Sequence, residues 1–326
     1  MTSLPPLNGA LSSSLNQSIA RARARIPEVS EEAVTGRRVN LVGHLKGDIG
    51  QAFLSQKAVD SIATEREQLQ IRETRLDILQ TSLTFVQEAA SGIGTRLEAS
   101  LGVDDQTGLE TAARDASNAI GNIFSALNAR LGERYLFSGD ATATQPFNDP
   151  DQLIADIQAI ASSATDPADF NTQVDAYFND PAGPYQQGIY AGSQTVSDSD
   201  SVSAADPAIT NLIKGFAVLS LAQSDLNFAL IDNNPEILQN AAGGLLTAEN
   251  EVTNLRASQG LKQEQIARAQ TALDTEETIL TRSFNALTGR DQFEAASELQ
   301  QLETNLEASY LLTSRLSNLL LLNFIR

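Results

Sequence analysis

A strict seven-residue spacing of apolar residues near the C-terminus constrains this chain more than any other feature. Only Gln259 interrupts the spacing. A seven-residue repeat averages 3.5 residues per turn, so its members share one face of a helix and form a continuous seam against a partner helix. We name these residues the C-terminal seam: Leu245, Val252, Ile266, Leu273, Leu280 and Leu287.

A second repeat with the same spacing lies in the N-terminal half. Its members, the N-terminal seam, are Ile62, Leu69, Leu76, Leu83, Ala90 and Leu97. The pattern predicts one long helix from Gln51 to about Leu101. Two long helices of comparable length can lie antiparallel and bury each other's seams. We therefore expect a mainly α fold, a long antiparallel coiled-coil rod with a small inserted middle domain that is α+β or irregular.

Proline and glycine concentrate in the middle of the chain, between 132 and 206. Two short helices are expected there, over 151–162 and 167–178, each preceded by a capping Asp. The stretch DSDSVS at 198–203 is expected to be a solvated loop. The composition predicts a small domain or lobe between two helical halves.

Breaks in the helical pattern set the expected boundaries. Pro27 should close the first helix, and Gly36 should end the next one in a left-handed conformation. Further breaks are expected at Pro235 and Gly289. The resulting segments are an N-terminal assembly helix and connector (1–46), the two halves of the rod (47–135 and 207–288), the inserted domain (136–206) and a C-terminal assembly helix (289–326).

Charge and composition exclude several partner classes. The formal net charge is −19, whereas nucleic acids and anionic membrane surfaces require a basic patch. The chain has no cysteine, which removes disulfides and thiolate chemistry. The N-terminal residues do not form a secretory signal, and no apolar stretch is long enough to cross a membrane.

The sequence offers no catalytic constellation and no cofactor motif. It contains no phosphate-binding glycine motif and no nucleophile elbow. The single histidine, His44, lacks the Cys or His neighbours that a metal site requires. We expect no catalytic residue, no metal and no cofactor, and an interaction or structural protein rather than an enzyme.

Four segments, EEAVTGRRVN, GERYLFSGD, LQQLETNLEASY and LLLLNFIR, resemble segments of the bacterial flagellin superfamily, and in particular of its hook-associated members. The segment EEAVTGRRVN (31–40) is similar to the family segment that follows the first helix. The segment GERYLFSGD (132–140) is similar to an RYLFSG element that precedes the variable middle of the hook-associated members. The segments LQQLETNLEASY (299–310) and LLLLNFIR (319–326) resemble the C-terminal block of the family.

The resemblance implies a structural role in the flagellum, at the junction between hook and filament. It implies self-association into a ring, contacts with an adjacent hook-associated protein and with flagellin, and a cytoplasmic export chaperone. The protein would leave the cell through the flagellar type III apparatus, without a cleaved signal peptide. The expected assembly and chaperone surface comprises Leu302, Leu306, Tyr310, Leu316, Leu319, Leu320 and Phe324.

Two other hypotheses remain open at this point. A filament flagellin belongs to the same superfamily and would differ in having thousands of copies per flagellum. A coiled-coil scaffold unrelated to flagella would share the seams, but deleting its gene would leave motility intact.

Overall fold

The computed structural model describes residues 7–45, 49–223, 226 and 228–324, with side chains for 13–45, 49–223, 226 and 228–315. The chain is mainly α, as predicted, with a single two-stranded sheet in the described part. It divides into two compact units: unit 1 comprises residues 1–66 and 271–326, and unit 2 comprises residues 67–270. Among the described residues, no helix combines the length and apolarity that a membrane crossing requires.

Eleven α-helices are present in the described residues. They are α1 (Leu7–Thr35), α2 (Leu41–Leu45), α3 (Ile49–Ala90), α4 (Ile93–Gly102), α5 (Gln106–Leu127), α6 (Pro150–Ser163), α7 (Pro167–Asn179), α8 (Pro207–Leu219), α9 (Ala229–Asn233), α10 (Glu236–Thr288) and α11 (Gln292–Phe324). The sheet pairs β1 (Arg130–Leu131) with β2 (Arg134–Tyr135) in antiparallel register.

Helix α1 corrects the prediction that Pro27 closes the first helix. The helix runs through Pro27 to Thr35. Pro27 is exposed, so the carbonyl that loses its hydrogen bond faces solvent and can be hydrated. Gly36 follows with a φ of +66°, as expected for a left-handed helix end.

The predicted helix from Gln51 to Leu101 is wrong as a single helix. It is interrupted after Ala90, where Gly92 adopts a φ of +77°. Glycine takes this conformation at little cost, so the chain turns there and restarts as α4. Leu97 of the N-terminal seam is therefore carried by α4 rather than by α3.

The helix starts in the middle of the chain follow the predicted capping residues. Asp149, Asp166 and Asp206 accept hydrogen bonds from the first turns of α6, α7 and α8. Each cap is followed by proline, which tolerates the first helical position because its missing N–H has no helical partner there. The predicted breaks before α10 and after Thr288 are confirmed.

Aromatic side chains fill the core of unit 2. Phe147 stacks on Phe124 with ring centroids 4.3 Å apart, and it also contacts Tyr190 at 5.6 Å. Phe178 lies 4.8 Å from Tyr185 on the same cluster. All five rings are buried, which joins α5 and α7 to the segments after each of them.

Candidate assembly surfaces

In unit 1, the C-terminal ends of α1 and α10 lie next to each other, and a glycine follows each helix. Arg37 and Gly289 form an isolated antiparallel bridge. The amide of Arg38 donates to Thr288 O at 2.9 Å, and the amide of Arg290 donates to Gly36 O at 2.9 Å. These bonds satisfy backbone groups at the ends of two helices and set α1 beside α11.

Four charged residues next to this bridge form an ionic cluster that we name the clasp: Arg25, Glu32, Arg290 and Glu298. Glu32 is 2% exposed, and its Oε2 lies 3.6 Å from Arg25 Nη2 and 3.8 Å from Arg290 Nε. Glu298 accepts from Arg290 Nη2 at 2.5 Å and from Arg25 Nε at 3.2 Å. The amide of Val39 donates to Glu32 Oε1 at 3.1 Å. The clasp therefore joins α1, α11 and the connector after α1.

The clasp gives a structural reason for the EEAVTGRRVN segment. Its second glutamate supplies the buried carboxylate, its glycine supplies the left-handed turn, and its two arginines provide the backbone of the bridge. Sequence reasoning assigned none of these contacts, because Glu32 and Glu298 are distant in the chain. The alternation of Arg21, Arg23 and Arg25 with alanine indicates a solvated face, but Arg25 is half-buried in the clasp.

Three residues of the predicted assembly surface have described side chains. Leu302 and Leu306 are half-buried on α11, and Tyr310 is 40% exposed. Arg23 Nε donates to Tyr310 Oη at 2.7 Å, and its guanidinium lies 5.4 Å from the ring centroid. The side chains of Leu316, Leu319, Leu320 and Phe324 lie outside the described residues.

Most of the exposed large hydrophobic side chains among the described residues belong to unit 1, although it is the smaller unit. The most exposed of those in unit 1 are Phe293 (82%), Val34 (78%), Val42 (72%), Phe53 (69%), Leu54 (65%), Leu311 (63%), Ile279 (60%) and Leu312 (52%). Single exposed apolar residues are ordinary, but their concentration in one unit is typical of a protein contact surface. Sequence periodicity could not identify them because they lie off the seams.

In unit 2, α3 and α10 run antiparallel and are joined by side-chain hydrogen bonds. Gln80 Nε2 donates to Arg256 O at 2.7 Å, while Gln270 Nε2 donates to Glu73 Oε2 at 2.9 Å. The partner number falls as the α3 number rises, as antiparallel packing requires. Gln259 is buried, and its Oε1 accepts from Lys262 Nζ at 2.9 Å.

Most seam residues lie inside the protein. The buried ones are Ile62, Leu69, Leu76, Leu83, Ala90, Leu97, Leu245, Val252, Ile266 and Leu273, and the half-buried ones are Leu280 and Leu287. Leu245 shows how closely helices approach in unit 2. A Cβ added to Gly215 would stand 3.3 Å from Leu245 Cβ, and one added to Gly94 would stand 3.5 Å from its Cδ2. The assignment of individual seam residues to particular packing roles stays a prediction.

The 198–203 stretch is a buried ionic connection, not the solvated loop that its composition predicts. Asp200 is almost fully buried, and it receives Arg72 Nε at 2.5 Å and Arg72 Nη2 at 3.1 Å. Asp198 accepts from Arg75 at 2.9 Å and from Arg134 at 2.8 Å. Lys262 Nζ donates to the carbonyl of Ser199. Arginines from α3 and β2 thus compensate charges that would otherwise keep this loop in water.

Asp200 should make unit 2 sensitive to acid. The hydrogen bond from Arg72 lowers the pKa of Asp200, although burial opposes this effect. The carboxylate therefore stabilises the fold above its unfolded pKa of about 3.9, and this contribution is lost as pH falls through the lower folded pKa. We expect Asp200→Asn to cost about 1–2 kcal/mol at pH 7 and much less near pH 3.

Urea unfolding of both proteins between pH 7 and pH 3 measures this difference. Asp151→Asn is the matched control, because Asp151 is an exposed carboxylate in the first turn of α6. An equal cost of Asp200→Asn at both pH values would contradict the expected linkage.

The RYLFSG element is a largely buried segment of unit 2. Leu136 and Phe137 are fully buried. The carbonyl of Leu136 accepts from the amide of Val202 at 3.2 Å, and that of Phe137 accepts from the amide of Ala204 at 2.9 Å. The element therefore pairs with the end of the middle segment, just ahead of α8.

The turn at the end of the RYLFSG element requires glycine. Gly139 has a φ of +59°, and a Cβ at this position would lie 2.3 Å from Ser193 O and 2.6 Å from Thr195 O. The next residue, Asp140, accepts from the Ser197 amide at 2.7 Å and from Thr195 Oγ1 at 2.9 Å. These bonds, led by the Ser197 amide, lower the pKa of Asp140.

The described residues do not bring three or more His, Cys, Asp or Glu side chains together as a metal site. His44 lies exposed in α2. Helix faces and exposed apolar side chains stand out in the described part of the chain, and such surfaces are suited to contacts between proteins.

Residues 242–325 match the family model of the bacterial flagellin C-terminal helical region. The match spans most of α10 and α11, so it includes the C-terminal seam and two of the clasp residues. The C-terminal helices of this chain are thus similar to that region of bacterial flagellins.

Two solved structures are similar to this chain. The chain is similar to the crystal structure of Bacillus cereus FlgL, with 12% identity, 73% of this chain and 98% of that chain covered, and a TM-score of 0.45. It is also similar to a structure described as a flagellar hook-associated protein from Vibrio parahaemolyticus, with 15% identity, 74% and 95% covered, and a TM-score of 0.27. No curated protein sequence matches the chain.

Proposed function

We propose that this chain is a structural subunit of the bacterial flagellum, a hook-associated protein that forms the junction between hook and filament. The observation that carries the proposal is the match of residues 242–325 to the flagellin C-terminal helical region. The RYLFSG element favours the junction over the filament, because it resembles the hook-associated members of the superfamily. The role consists of assembly, and it includes no chemical reaction.

The assembly surface belongs to unit 1. Its exposed apolar side chains, such as Phe293 and Phe53, would leave water when neighbouring subunits pack against them. Burial of apolar area stabilises such contacts by about 25 cal/mol per Å². Partners of this surface are other copies in a ring, an adjacent hook-associated protein and flagellin.

The C-terminal two-thirds of α11 binds two partners in succession. Residues 302–324 would be covered by a cytoplasmic export chaperone and then, outside the cell, by neighbouring subunits. The predicted residues Leu302, Leu306 and Tyr310 begin this surface, and Leu316, Leu319, Leu320 and Phe324 continue it along the helix. An apolar helix face that is used late in assembly needs such protection against aggregation.

Deletion of the gene should leave hooks without filaments. Cells would lose motility in soft agar and would shed unpolymerised flagellin into the medium, because the filament has no surface on which to start. Electron microscopy and flagellin quantification in the supernatant measure this outcome. The same strain with the wild-type gene restored is the control.

Two results would contradict the proposal in different ways. Normal filaments and motility after deletion would favour a coiled-coil scaffold unrelated to flagella. Thousands of copies per flagellum in purified fractions would favour a filament flagellin, since a ring holds few subunits.

A further inference from the structure

We propose that the clasp is the point at which the two terminal helices begin to pair within a single chain, and that pairing spreads from it along α1 and α11. The inference rests on the proposed function for its biological meaning, because it describes how the assembly surface of one subunit is formed. It assigns Arg25, Glu32, Arg290 and Glu298 as positioning residues for that surface.

The clasp lies beside the backbone bridge. Arg37 and Gly289 already hold the two chain segments together, and Arg290 follows the bridge directly. Glu32 stands one helical turn before Gly36, so little additional chain has to be ordered when its carboxylate meets Arg290. A contact that closes a short segment costs little entropy, so it forms before contacts farther out.

The burial of apolar side chains declines with distance from the clasp. Val29 and Ala295, beside it, are fully buried. Leu302 and Leu306 are half-buried, and Tyr310 is 40% exposed. Free energies of local opening follow such differences in burial, so α11 should open from its far part toward the clasp.

Both helices share one buried carboxylate. Glu32 Oε2 forms no hydrogen bond among the described residues, and its charge is balanced by Arg25 and Arg290 at ion-pair distance. Removing this charge leaves Arg290, which is 9% exposed, with Glu298 at 2.5 Å and Glu294 at 4.0 Å as its remaining ion-pair partners, both on α11. Loss of a partner from a buried ion pair is strongly destabilising, and here both helices depend on the same group.

Hydrogen exchange with mass spectrometry on the full chain tests the proposal. In the wild type, residues 25–35 and 292–300 should exchange more slowly than residues 306–315. Glu32→Gln should accelerate exchange in both clasp segments together, by about a hundredfold, while residues 70–97 are unchanged. The matched control is Glu264→Gln, because Glu264 pairs with Arg268 at an exposed site on α10 and should leave the clasp segments unaffected.

A double variant separates the clasp from general destabilisation. Arg290→Met alone should also open both helices, whereas Glu32→Gln with Arg290→Met should exchange more slowly than the product of the two single effects, since both substitutions remove the same Glu32–Arg290 ion pair. Acceleration in one helix alone, additive single effects, or fast exchange of both clasp segments in the wild type would overturn the proposal. These outcomes leave the gene-deletion phenotype intact, so failure of the clasp and failure of the proposed function are distinguishable.

Discussion

Gly139→Ala is expected to destabilise unit 2 by about 2–5 kcal/mol, the sum of a left-handed conformation that alanine disfavours and a backbone clash. The added Cβ would meet Ser193 O at 2.3 Å and Thr195 O at 2.6 Å. Both atoms belong to backbone that is held by further hydrogen bonds, including Asp140 N–H to Thr195 O at 3.0 Å. The segment therefore cannot move away from the added Cβ without breaking the backbone hydrogen bonds that hold it beside the RYLFSG element.

Substitutions of two other glycines separate the cost of the left-handed conformation from the cost of the clash. Gly132 has a φ of +61° but nothing within 4 Å of an added Cβ, so Gly132→Ala should cost only about 1–2 kcal/mol. Gly121 lies inside α5 with open space around it, so Gly121→Ala should stabilise by about 0.5–1 kcal/mol. Urea unfolding of the three variants gives the order. A cost at Gly139 no greater than that at Gly132 would refute the predicted clash.

The helical content of this fold could be predicted from sequence because its main signals are local. The seven-residue spacing of Leu69, Leu76 and Leu83 identifies α3 without any knowledge of its partner. The capping Asp149 and Asp166 placed the two short helices of the middle within one residue of their observed bounds. Periodicity and capping depend on neighbours within one turn, and such information is fully present in the sequence.

The errors arose where tertiary contacts override local preference. Pro27 reads as a helix end, but packing of α1 keeps the helix continuous around it. Asp198 and Asp200 read as a solvated loop, because Arg72 and Arg134, which neutralise them, lie far away in the chain. The clasp was missed for the same reason. A single sequence names the charges, but it does not show which of them meet.

Leu311→Ser combined with Leu312→Ser should prevent incorporation into the flagellum while leaving the folded monomer unchanged. The two side chains are 63% and 52% exposed on α11, so their replacement should alter the free energy of unfolding by no more than about 0.5 kcal/mol. If neighbouring subunits bury them, the lost contact amounts to about 3 kcal/mol or more, a weakening of association by more than about a hundredfold. Soft-agar motility and the amount of the chain in purified flagella, in a deletion strain that carries the variant, measure this loss.

Leu261→Ser distinguishes an assembly surface from a general need for surface hydrophobicity. Leu261 is 62% exposed, but it lies on the part of α10 that belongs to unit 2. Because the proposed surface belongs to unit 1, this control should support normal motility and incorporation. Equal loss in both variants would show that unit 2 also contributes to the assembly surface. Normal assembly of the double variant would show that this part of α11 lies outside the surface. Urea unfolding of each purified variant shows that any loss arises from assembly, since a folded but excluded subunit has lost a partner rather than its structure.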